Sequence, residues 1–228
     1  MKKIITLITF IFLMGIISAC SSTDDITYID KEKGDYVKCV NVKERSPYNI
    51  VDAEIIVYTE ARILDRTDLV VKGKILSEKE IALEEYVDNK LKHIHYSDIF
   101  EFEVDKVFGD RKTGVNSGDI ITVANGFCSH FWFEGAIKME IGKEYILFLM
   151  KTKDSPTVKF SKYSDYYLAH EMQGIVIIND GIYNFDTAFT SLNKNASVVE
   201  PESGWLKRYE KTGFEEELEA FLKKEWGE

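Results

Sequence analysis

Apolar positions along the chain fall into short runs separated by turn-forming residues. Leu69-Val70-Val71-Lys72-Gly73-Lys74-Ile75-Leu76 is β-branched and begins to alternate. Ile99, Phe100, Phe102, Val104 and Val107 form a second run, with Glu101, Glu103 and Asp105 interleaved at period two. That period places alternate side chains on opposite faces of a strand. Asn116-Ser117-Gly118-Asp119 punctuates before Ile120-Ile121-Thr122-Val123, and Glu144 to Met150 gives a further run. Gly174 to Ile178 and Ile182 to Phe185 flank Asn179-Asp180-Gly181, which predicts a hairpin because glycine supplies the positive φ of a tight turn.

Two segments break this pattern. Glu60 to Asp65 reads as a short helix before the first long strand. Phe214, Leu218, Phe221 and Leu222 recur at helical spacing opposite Glu216, Glu219 and Lys223. Thr212-Gly213-Phe214-Glu215 fits a capping box, in which Glu215 would reach back to the Thr212 N–H. The expected architecture is mainly β, a small barrel or sandwich with a C-terminal helix. No repeat, Pro-rich stretch or Ser/Gly linker divides residues 36–228, so one domain is expected there.

The N-terminus follows a different logic. Lys2 and Lys3 precede an apolar run from Ile4 to Ile17 that ends in Ser18-Ala19-Cys20. A basic start, a short apolar core and small residues are the parts of a secretory signal. About 20 residues are needed to span a bilayer, and this run is shorter. Ile17-Ser18-Ala19-Cys20 resembles the lipobox of bacterial lipoproteins. The resemblance implies that residues 1–19 are removed as a signal peptide. It implies diacylglycerol on the Cys20 thiol (palmitate-type acyl chains) and an extracytoplasmic, membrane-anchored protein. Residues 20–35 then read as a polar tether.

The chain has 228 residues, with 29 Lys+Arg against 39 Asp+Glu and a formal charge of −10. Loss of Lys2 and Lys3 with the signal leaves 27 basic against 39 acidic side chains, or −12. That balance argues against nucleic acid as a partner and against a domain lying flat on an anionic lipid surface. Composition also excludes a disordered tail and a disulfide-dense miniprotein. Cys39 and Cys128 remain after Cys20, and an oxidising compartment permits a bridge between them or two free thiols. A bridge would close a loop of about 90 residues, worth on the order of 4–5 kcal/mol.

Thr67 to Ile75, the alternating Phe100-to-Val107 strand and Gly142 to Leu149 together resemble the OB barrel of netrin-like, metalloproteinase-inhibitor-type domains. The resemblance implies an OB-like fold for about 80 residues. In that family a free N-terminal cysteine engages the target's metal. Cys20 would here be lipidated, so inhibition of an extracytoplasmic protease does not carry over with the fold and stands as a separate alternative.

Several motifs carry candidate chemistry. His93-Ile94-His95 places two imidazoles on one face of a strand, where they could converge on zinc or manganese. It resembles the His-x-His of cupin metalloproteins, but Glu101 follows after five residues rather than three or four, leaving His130 or His170 as a third ligand. A metal-dependent enzyme on His93 and His95 is one alternative function, and two half-exposed histidines are the plain structural one. His170-Glu171 lacks the second histidine of a zinc-protease helix, since Gly174 stands there. Ser191-Leu192-Asn193-Lys194 and Lys211-Thr212-Gly213 match β-lactamase motifs in letter but lie too close together. No catalytic residue and no organic cofactor is assigned. Phe127-Cys128-Ser129-His130-Phe131-Trp132-Phe133 is the densest aromatic segment. Phe131, Trp132 and Phe133 are therefore the candidate binding residues, for a protein, peptide or glycan. The expected function is non-catalytic binding at the membrane.

Overall fold

The computed structural model describes residues 25–43, 50–51, 56–130, 132–133, 136–152, 162–199 and 207–227. It is mainly β, 52% strand and 14% helical. In chain order the elements are β1 (Asp25–Asp30), β2 (Asp35–Asn41), β3 (Ile50–Val51), α1 (Glu60–Arg66), β4 (Leu69–Val87) and β5 (Lys90–Asp110). There follow β6 (Ile120–Asn125), β7 (Trp132–Phe133), β8 (Glu144–Lys151), β9 (Tyr166–Leu168), β10 (Ile175–Asn179) and β11 (Ile182–Asp186). A 3-10 turn (Thr190–Leu192), β12 (Ser197–Val199), β13 (Arg208–Lys211) and α2 (Phe214–Trp226) complete them. Among the described residues no helix is long and apolar enough to cross a membrane.

One eleven-stranded sheet runs β1-β2-β4-β5-β6-β9-β8-β10-β11-β13-β12, and β4 also pairs with β8. That extra pairing closes β4-β5-β6-β9-β8 into a ring of five strands, so the sheet curls on itself rather than splitting into a sandwich. The β6–β9 contact is parallel and every other contact in the ring is antiparallel. The expected β10–β11 hairpin forms: Asn179 pairs with Ile182, and Asp180 and Gly181 take φ of 49° and 78°. Asp88 and Asn89, both with positive φ, make the equivalent turn between β4 and β5.

Alternation explains how the ring fills. Leu69, Val71, Ile75, Phe100, Phe102, Val104, Leu147 and Leu149 belong to one buried cluster inside it. Their neighbours Val70, Ile146 and Phe148 face outward, against Ile63 and Leu64 of α1, Phe185 and Phe189, and Phe214, Leu218, Phe221 and Leu222 of α2. Phe214, Leu218, Phe221 and Leu222 of α2 are all buried, as their spacing predicts. β8 is thus buried on both faces, which is why Tyr145 to Met150 reads as an unbroken apolar run.

The structure departs from the sequence pattern at two places. The sheet begins at Asp25, inside the stretch read as tether: β1 pairs with β2, and Asp25 lies opposite Cys39. The capping box does not form. Gly213 is the N-cap of α2, in the left-handed region and with no side-chain cap. Glu215 instead meets Lys72 Nζ at 2.8 Å, Lys106 Nζ at 3.2 Å and the Tyr183 hydroxyl at 2.6 Å. Three donors on three other strands outcompete one backbone N–H. α1 is capped by the Thr59 side chain, which accepts from the Arg62 N–H.

Candidate functional site at the end of the strand ring

Beyond Ile75 a bulge in β4 shifts the register, so that Ser77 opposes Glu101 and Glu80 opposes Asp98. Asp98 in turn opposes Asn125 of β6. Glu80, Asp98 and Asn125 therefore form one cross-strand row next to the interior row that holds Phe100 and Val123. All three are at most 5% exposed. A row of polar side chains thus replaces the apolar filling where the ring ends.

The segment after β6 folds over this row. The Phe127 N–H donates to Asn125 Oδ1 at 3.1 Å, and Ser97 Oγ donates to the Asn125 carbonyl at 2.8 Å. Ser129 Oγ donates to Glu80 Oε2 at 2.5 Å, and His130 Nδ1 donates to Glu80 Oε1. The imidazole lies flat on Tyr96, with ring centroids 3.9 Å apart and planes 3° from parallel. The Glu80 side chain is wholly shielded from solvent, and these donors compensate a charge that is otherwise expensive to bury.

Ser, His and Glu together invite comparison with a hydrolytic triad, and the geometry differs. In a triad the serine donates to one ring nitrogen and the carboxylate holds the other. Here serine and histidine both donate to the carboxylate, and Ser129 Oγ lies 3.3 Å from the same Nδ1 that Glu80 holds. The carboxylate instead holds the imidazole against Tyr96.

Trp132, two residues on from His130, is half-buried against Phe127 and Met172. Trp132 and Phe133 form β7, paired in parallel with β3. Phe131, the Phe133 side chain and Cys20 fall outside the described residues. Nearby, burial and then the Glu171 carboxylate push the Tyr167 phenol far above its ordinary range.

The other sequence candidates do not converge. His93 and His95 share a face, with ring centroids 6.1 Å apart, and Glu85 lies 3.7 Å from His95 Nε2. Glu101 is six residues further along the strand, about 20 Å away. His130 is held by Glu80. His170 Nε2 donates to the Ile56 carbonyl at 2.9 Å, and its Nδ1 accepts from the Met172 and Gln173 N–H groups, so both nitrogens are used. Among the described residues no group of three or more His, Cys, Asp or Glu is arranged to hold a metal ion.

Cys39 and Cys128 are not joined by a disulfide in the structure. Cys128 is buried, whereas Cys39 is half-buried beside Tyr163, and burial pushes its thiol pKa up. The β-lactamase-like residues have structural partners. Ser191 Oγ donates to Glu60 at 2.7 Å, and Lys211 Nζ donates to the Leu192 and Lys194 carbonyls and to Glu217.

Glu80 and Asp98 went unseen in the sequence, since Glu80 sits in a charged run, Asp98 is a lone acid in a strand, and neither belongs to a motif. The available signal was parity: Asp98 falls on the same alternate positions as the buried Phe100 and Phe102. No protein-family model matches the chain, and no curated protein or solved structure is similar to it.

Proposed function

We propose that this chain is a lipid-anchored, extracytoplasmic binding module without a catalytic role, and that its ligand, a protein, peptide or glycan, engages the end of the strand ring. One observation carries the reading. The Tyr96–His130 stack is locked from beneath by the buried Glu80, with the half-buried Trp132 two residues on from His130 in the chain, which presents aromatic surface on a preset polar base. The strand order of the ring supports an OB-like reading of the fold, in which such an end is a natural binding place. The lipobox-like Ile17 to Cys20 supports the anchor.

The test is crosslinking of the full-length protein in its native cells, followed by affinity capture and mass spectrometry, with Cys20→Ala as the localisation control. A partner or glycan captured by the wild type and lost in Trp132→Ala supports the reading. Capture that is indifferent to Trp132→Ala and His130→Ala places the binding surface elsewhere and sinks it.

A further inference from the structure

The ribbon made by β1, β2 and the outer halves of β4 and β5 projects beyond the ring. It holds six of the twelve large apolar side chains exposed among the described residues: Ile26, Tyr28, Ile29, Val87, Leu91 and Ile94. Register gathers four of them on one face. Tyr28, Tyr36, Tyr86 and Leu91 form one cross-strand row, and Ile26, Lys38, Glu84 and Ile94 form the next. Tyr36 and Tyr86 stack at 4.5 Å, and Tyr28 tilts against Tyr36 at 5.9 Å. None of these residues belongs to a buried cluster.

We infer that this face is a lipid-contact surface that seats the domain on the bilayer carrying its anchor; the inference rests on the reading of Cys20 as the lipidated residue. Three facts favour lipid over other occupants. Asp25, the first residue of β1, is five residues from Cys20, a reach of at most about 18 Å, so the face stays within about one strand length of the bilayer. Tyrosine with flanking aliphatic residues suits the headgroup boundary, where the ring body is apolar and the hydroxyl wet. The far end of the ribbon is also close to neutral in a strongly acidic chain. Lys31, Lys33, Lys90 and Lys92 there stand against Asp30, Glu32, Asp35, Glu85 and Asp88 around two adjacent turns, joined by the Asn89 N–H to the Gly34 carbonyl at 2.9 Å. Little of the −12 carried by the chain from Cys20 onward therefore lies at this end to repel it from lipid.

The test uses full-length lipidated protein in phosphatidylcholine–phosphatidylglycerol vesicles. An environment-sensitive fluorophore is attached through Leu91→Cys in a Cys39→Ser background, with Ile182→Cys on β11 as the comparison site. The expected result is a blue-shifted label at 91, quenched severalfold by nitroxide-bearing lipid, and a solvated label at 182. Lipid on Cys20 with residue 91 as solvated as residue 182 overturns the proposal and leaves the anchor standing. Absence of diacylglycerol from the mature N-terminal peptide, read by mass spectrometry, removes the anchor and the proposal together. A blue shift that grows with protein-to-lipid ratio without nitroxide quenching means a second copy covers the face, and also overturns it.

Discussion

Glu215 shows how much one carboxylate can organise. Burial opposes its charge, but hydrogen bonds from Lys72, Tyr183 and Lys106 outweigh that and hold its pKa down at about 2. Because the folded pKa is depressed, the stabilisation is present above the ordinary carboxylate range and is lost as pH falls toward 2. Glu215→Gln should therefore destabilise the protein by about 1–3 kcal/mol at neutral pH, allowing for partial solvent screening. The gap between variant and wild type should narrow steadily from about pH 5 toward pH 2, within the usual carboxylate titration range. Urea unfolding at a series of pH values measures it. A gap that does not change with pH would mean the side chain acts by packing alone. The same pair of lysines spans β4 and β5, so this residue pins α2 to both strands at once.

At the level of elements, α2 depends on its first residue outside the helix. Gly213 sits at φ 67° with open space around it, so a β-carbon there meets no atom but strains the backbone. Gly213→Ala should cost about 1 kcal/mol, and Gly213→Asn less, because asparagine tolerates the left-handed region. Thermal melts of the two variants distinguish this from a side-chain cap at Thr212, for which Thr212→Ala would be the damaging change. The contrast shows what was legible. Helical spacing located α2, and Asp180-Gly181 located the β10–β11 turn, because both signals are local. The capping box was local too, yet it failed, since Lys72, Lys106 and Tyr183 lie more than 30 residues away along the chain and cannot be seen beside Glu215. The ribbon was equally hidden. In Ser77 to Val87 only Ile81 and Leu83 join a buried cluster, and apart from the small buried Ala82 the other positions are polar or partly exposed because the hairpin stands clear of the main core. β9 is three residues long and closes the ring through pairing with β6 and β8, which no local pattern announces.

The two large cores share their walls, and this sets how the whole molecule should unfold. Leu147 points into the ring and its neighbour Phe148 points out toward α1 and α2, yet both lie on β8, and Val71 and Val70 divide in the same way on β4. Neither core can be lost while those strands remain in place for the other. Leu147→Ala and Phe148→Ala should each remove about 2–5 kcal/mol, the usual range for deleting a buried large side chain. Both should lower one common transition, rather than each melting its own layer. The check is coincidence of probes. Of the three tryptophans Trp226 packs against the outer core, so its fluorescence, read in a Trp132→Phe, Trp205→Phe background that serves as the wild type, reports that layer, while far-ultraviolet circular dichroism reports the sheet as a whole. Coincident urea curves in the wild type and in both variants are the expected result. If fluorescence in Phe148→Ala moved to lower urea while circular dichroism kept the wild-type midpoint, the outer layer would be separable, and the shared-wall account of the fold would be wrong.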